Sequence, residues 1–272
     1  MSSPANAANS AREAADSRPV VLAVRIGLLC YGVTHLLIAW IALQIAFGGD
    51  NQQASQKGAF QEIGGNTFGR VILWVIVVGF VAVALWRLTL AIWGFSYESD
   101  EKTRLRKRAA MAGKVVVFVG LAVLAVTTAV GGGGGGGGSQ KATAGVLGIP
   151  GGQWIVGAVG LGFIVAGGSK IYGGWKKNFV SDMSLPADQK ERRVVERTGQ
   201  VGFIAKGISI ALIGVLVVVA AVQFDPAKAS GLDAALRGLA QQPFGPWLLA
   251  LVALGLATYG VFCAFDARYH RV

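Results

Sequence analysis

Five basic residues stand inside otherwise apolar runs of this chain: Arg25, Arg87, Lys114, Lys170 and Lys206. None has an acidic residue in the same run, and the acids lie between runs or in tails, with Asp266 at the edge of the last run. A charge at membrane depth marks a functional position by default, as a ligand contact or part of an ion path. All five fall toward the same end of their runs, where a long side chain can snorkel to phosphate headgroups. They are therefore candidate contacts for an anion or a lipid headgroup. His35, beside Thr34 in the first run, is a candidate polar in-membrane residue, suited to an interhelical hydrogen bond or to a proton relay. The other histidine, His270, is in the C-terminal tail, so a bis-histidine haem site cannot be built in the membrane. Cys30 and Cys263 lack any metal-ligand spacing and read as small buried hydrophobes. The tract Gly131–Gly138 matches any glycine motif trivially, lacks the GK[ST] of a phosphate loop, and reads as a flexible insertion. No paired carboxylates lie within a run, and no HExxH or Cys/His cluster occurs. The sequence thus assigns no catalytic, cofactor-binding or metal residue, and the expectation is a non-enzyme.

The elements that carry these bases follow from composition. The chain has 272 residues, 53% hydrophobic and 14% charged, with a formal charge of +11, where a soluble domain carries about 25% charged residues. That is too little polar surface to coat a globule, and too little total charge for a nucleic-acid-binding domain. A helix crosses the hydrocarbon core with about 20 apolar residues. Six runs qualify: 20–47, 71–95, 109–130, 151–175, 201–224 and 247–265. They are apolar on all faces instead of alternating, which excludes barrel strands, and in lipid the backbone must be satisfied within the element. The expected class is an all-α membrane protein with six transmembrane helices.

The intervening segments alternate in charge. Arg12 and Arg18, the run Lys102–Arg108, the segment Lys176–Arg197, and Arg268 and Arg271 hold 15 of the 25 Lys and Arg. The alternate loops hold Lys57, Arg70, Lys141, Lys228 and Arg237, and the remaining five are the bases inside the runs. The positive-inside rule then puts both termini in the cytoplasm. The short basic run 102–108 reads as a topology determinant that touches anionic lipid, not as a nucleic-acid site.

The chain also repeats itself. In the even-numbered runs Gly69 and Gly79, Gly152 and Gly162, and Gly245 and Gly255 are each ten apart, followed after five residues by Ala84, Gly167 and Gly260. In the odd-numbered runs Gly27 and Gly32 match Gly202 and Gly207, with Ala110 and Val115 in the second copy. On that register Tyr31, Lys114 and Lys206 share one position. Segment 58–69 aligns with 234–245 without a gap, and 141–152 is a looser copy. Phe60 and Ile63, and Leu232, Leu236 and Leu239, recur at helical spacing, which predicts a short amphipathic helix between the two runs of a repeat. The expected organisation is a disordered tail over 1–19 and three helical hairpins, 20–95, 105–178 (with the polyglycine insertion 131–138) and 195–270. Three hairpins pointing the same way close naturally into a pseudo-threefold bundle. Gly79, Gly162 and Gly255 are read as helix-packing positions, because small residues permit the close approach that holds helices together in lipid. The five-residue separation puts successive glycines on different faces, each toward a different neighbour.

Three tandem two-helix units with a G-x9-G pattern in each returning helix, and Phe-Gly or Pro-Gly corners at Phe68-Gly69, Pro150-Gly151 and Phe244-Gly245, resemble a family of bacterial membrane proteins catalogued as domain of unknown function 1206. The resemblance covers residues 20–270. It implies six helices in three repeats, implies a bacterial inner membrane as the location, and carries no activity with it. The chain's own residues support a binding or scaffolding membrane protein that contacts anionic lipid, a membrane partner or another copy of itself, with no nucleic acid and no cofactor. The alternative is a small-solute or ion channel on the pseudo-threefold axis. Which way Arg25, Arg87 and Lys206 point separates the two readings.

Overall fold

The computed structural model describes residues 18–48, 54–94, 100–131, 138–229 and 231–269. Most of the N-terminal tail and of the polyglycine insertion, and His270, lie outside these. Among the described residues the secondary structure is helical. Six helices are long and apolar enough to cross a membrane: α1 (Arg18–Ala46), α3 (Thr67–Trp93), α4 (Glu101–Ala129), α6 (Gly152–Trp175), α7 (Gln189–Gln223) and α9 (Gly245–Tyr269). Short helices join each pair: α2 (Gln56–Gly64), α5 (Gly138–Leu147) and α8 (Gly231–Ala240). The looser second copy of the connecting segment therefore forms the same element as the other two. Many large apolar side chains in mid-helix are exposed, among them Val78, Leu85, Val165 and Leu251. Exposed apolar surface on that scale is what lipid, not water, accommodates, and the protein is a multi-pass membrane protein.

Two helices start eight or more residues before their apolar runs. α4 takes in the basic run 102–108, and α7 takes in Lys190 to Arg197. The reason is local. Asp100 accepts a hydrogen bond from the Thr103 N–H at 3.0 Å and Asp188 one from the Lys190 N–H at 2.9 Å, so both helices are N-capped outside the apolar run. Glu101 and Glu191 then stand in the first turn, where a negative charge suits the helix dipole. The α7 helix of 35 residues is about 52 Å long at 1.5 Å per residue, against ~30 Å of hydrocarbon. Its charged first turns stand beyond the apolar layer. Within each unit such turns, 102–108 in the first and those of α7 in the second, mark one end of its helices, the basic end of that unit; the short helices mark the other.

The chain forms two compact units. The first holds α1 as far as Tyr31, and Phe60 through the end of α4. Its centre is aromatic: Phe80, fully buried, meets Phe60 at 6.2 Å, Phe118 at 5.8 Å and Tyr31 at 6.3 Å between ring centroids. The second unit holds Gly32–Ala59 and the chain from α5 through Phe265. Its core is aliphatic toward the short-helix end, where Ile38, Ile41, Leu236, Leu249 and Leu256 pack together. Here the apolar face of α8 is buried through Leu236, and Asp233, one turn earlier, accepts a hydrogen bond from the Ala54 N–H at 2.8 Å.

Candidate functional site

Arg25, Arg87, Lys114 and Lys170 sit in the half of the helix nearer the basic end and Lys206 at the midpoint of α7, in three kinds of surroundings. Arg25 is exposed. Arg87 is only 7% exposed; its guanidinium lies 4.3 Å from the centre of the Trp86 ring and Nη1 reaches across to the Met111 sulfur of α4 at 3.6 Å. Lys114, Lys170 and Lys206 are half-buried. The ammonium of Lys170 lies 5.4 Å from the centre of the Phe203 ring on α7. That of Lys206 lies 4.1 Å from the Tyr259 ring and donates to the Tyr259 hydroxyl at 3.0 Å. A cation over an aromatic face is attracted by the ring quadrupole, most strongly where water is excluded.

Two of these contacts are one contact made twice. On the repeat register Arg87 corresponds to Lys170, and Met111 to Phe203. In each case a base from the returning helix leans on a soft or aromatic side chain of the helix that follows. The third copy has Cys263 in place of the base, and Cys263 is buried.

His35 is 3% exposed and its ring lies 4.9 Å from that of Tyr259. The second unit therefore contains a line of polar groups, Lys206, Tyr259 and His35, with Tyr259 itself 8% exposed. It stands beside an aromatic cluster in which Phe203 meets Tyr259 at 5.5 Å and Phe262 at 5.4 Å. Nothing in the residue pattern singles out Tyr259. Only the register of α9 against α7 and α1 puts it between a lysine and a histidine.

Among the described residues, two of the grooves between helices are apolar. One, of about 380 Å³, runs between α3 and α4 in the first unit and is walled by Val77, Val81, Ala84 and Leu88 on one side and Val115, Val119, Ala122 and Val126 on the other. The second, of about 430 Å³, lies between α6, α7 and the short helix α5, against Val146, Val156, Phe163 and Val217. Neither wall contains a basic residue. The α3–α4 groove ends toward the basic end at Leu88 and Val115, the residues that follow Arg87 and Lys114.

The glycines of the repeat divide by neighbour. Gly27 lies against Gly79, within the first hairpin, whereas Gly32, five residues on, lies against Gly260 of the third. Gly202 lies against Tyr259 in its own hairpin, and Gly207 against Gly167 of the second. Gly255 packs on Ala205. Gly162 differs: a methyl group there would meet nothing within 4 Å, and the close contact on α6 is made instead by Gly160, two residues earlier and on another face. The signal that finds Gly160 is a seven-residue spacing, Gly160, Gly167 and Gly174 on α6 against Gly207 and Gly214 on α7, which the ten- and five-residue pattern conceals.

Comparison with known proteins places this architecture. The model of the family described as Domain of Unknown Function (DUF1206) matches three times, over residues 26–94, 109–177 and 201–270. An uncharacterized protein YxxB of Bacillus subtilis (strain 168) is 29% identical over 249 residues, covering 91% of this chain and 90% of that protein. No solved structure matches.

Proposed function

Because this chain belongs to the DUF1206 family, repeated here as three pairs of membrane-length helices, we propose that it acts as a non-enzymatic binding or scaffolding protein whose ligand is anionic lipid of the cytoplasmic leaflet. The observation that carries this reading is the placing of the five bases. Four of them lie in the basic halves of their helices and Lys206 at the midpoint of α7; Arg87, Lys170 and Lys206 lean on Trp86, Met111, Phe203 and Tyr259, and none of the five lines either of these grooves. An apolar wall with cations at one end matches a phospholipid, whose acyl chain needs the first and whose phosphate needs the second. The basic turns 102–108 of α4 and 190–197 of α7 add further cations at the basic ends of those helices, each worth ~1 kcal/mol toward an anionic surface. With the basic ends in the cytoplasm, the positive-inside rule is met. The test is co-purification. The full chain is extracted into native nanodiscs and its lipids are quantified by mass spectrometry against the bulk membrane. Anionic phospholipid enriched over bulk supports the reading; a bulk composition overturns it.

A second reading, a path for a small ion, draws on the buried line Lys206–Tyr259–His35. Proteoliposomes loaded with a pH-sensitive dye separate the two. Ion or proton flux above empty vesicles, lost in His35→Leu, would favour the path.

A further inference from the structure

The two seams between neighbouring repeats in which a groove opens can be compared position by position. In the α6–α7 seam, Gly160 and Gly167 face Gly214 and Gly207. A methyl group on Gly167 would stand 2.6 Å from the Gly207 carbonyl oxygen, and one on Gly214 2.7 Å from that of Gly160. Backbone meets backbone there, and the groove of this seam runs alongside the contact, lined by Val159, Phe163 and Ile213 but by none of the four glycines. The register puts Val77, Ala84, Ala122 and Val115 at the same four places in the α3–α4 seam. All four line the 380 Å³ groove. The side chains that replace the glycines hold the helices apart and leave an apolar channel, one helix-pair wide, running toward the basic end.

That end is cationic. Arg87 crosses the seam to Met111 just beyond the groove, and Lys114 precedes its last α4 wall residue. The same face of α4 continues through Met111 to Arg108, two turns from Val115, where Nε donates to the Gly94 carbonyl at the end of α3 at 3.1 Å. An apolar slot with cations beyond its end complements an amphiphile with an acyl chain and an anionic head, whereas a free anion would leave the slot empty.

We propose that the α3–α4 groove is a specific site for one acyl chain of an anionic phospholipid, its phosphate held at the Arg87, Lys114 and Arg108 end. The site deepens the lipid-binding reading above and rests on it. Val77, Ala84, Val115 and Ala122 set the width of the slot. Arg87, Lys114 and Arg108 set the headgroup preference.

The experiment uses the full chain in nanodiscs of phosphatidylglycerol and phosphatidylcholine, with native mass spectrometry counting the lipid that stays bound on release. Wild type is expected to keep one phosphatidylglycerol. Ala122→Phe fills the slot and is expected to lose it. Val123→Phe fills it from an exposed wall position, so a folding defect in the first variant leaves the test intact. Arg87→Gln is expected to keep the lipid but lower the preference for phosphatidylglycerol by about fivefold, the effect of one cation near a headgroup. If both filled variants retain the lipid, this site is wrong while anionic-lipid binding elsewhere stands. If wild type shows no phosphatidylglycerol preference, the broader reading falls with it.

Discussion

Between α6 and α7, glycines at four matched positions let two backbones meet, with Gly167 and Gly207 each turned to the other's carbonyl. Between α3 and α4 the same positions are Val77, Ala84, Val115 and Ala122, and an apolar groove takes the place of the contact. The α9–α1 seam is intermediate, since Gly32 and Gly260 meet closely while the flanking positions are Ala39 and Ala253, both buried. Hydrocarbon is as good a solvent for a valine as a neighbouring helix is, so helices associate in lipid through close packing and not through burial from water. Where glycine permits backbone contact, the seam is protein all the way through. Where larger side chains replace those glycines an apolar groove is left, the site proposed above for an acyl chain. The same repeat unit thereby builds a tight joint at one seam and an open groove at another through four positions.

The comparison is broken most directly by moving side chains from the open seam into the shut one. Gly207→Val puts a branched side chain where even its Cβ would lie 2.7 Å from the Gly167 carbonyl oxygen. Overpacking of this kind costs about 3 kcal/mol, read as a large drop in the unfolding midpoint in detergent micelles. A midpoint like wild type would mean the seam is not tightly closed. The next largest effect separates two glycines of equal register. Gly79→Ala places a methyl group 2.7 Å from the Gly27 Cα and is expected to cost ~2 kcal/mol. Gly162→Ala, in open space, should be neutral or stabilise by up to about 1 kcal/mol through helix propensity. Equal losses in the same unfolding assay would refute the assignment of contacts.

Smaller effects sharpen the picture. Asn66 caps α3 by accepting from the Gly69 N–H at 2.7 Å, whereas Gly151 at the start of α6 makes no side-chain cap. Asn66→Ala is expected to cost ~1 kcal/mol, visible as a lowered thermal midpoint. The smallest effect is one of pH. Hydrogen bonds from Thr103 hold the Asp100 carboxyl below its ordinary range. A depressed pKa stabilises the folded state above the carboxyl's ordinary value, and the contribution disappears as pH falls through the lowered one. Asp100→Asn should therefore flatten that acid-side decline and leave stability near neutral pH little changed. An acid profile identical to wild type would remove the cap from the argument.

The six helices, the three repeats and the family were legible because lipid imposes one-dimensional rules. A span must be apolar along its whole length, its backbone must close on itself, and small residues must recur where helices meet. The five-residue step from Gly27 to Gly32, and from Gly202 to Gly207, was legible for the same reason, since it turns successive glycines to different neighbours. The early starts of α4 and α7 were not, because an apolar window is blind to a capped polar turn beyond the membrane. Nor could one strand of sequence show that Gly160 and not Gly162 makes the contact, that Tyr259 stands between Lys206 and His35, or that Val77 and Val115 line one groove. Those facts depend on how far each helix is rotated and shifted against its partner. That is fixed by side chains from both helices at once, which only the tertiary structure brings together.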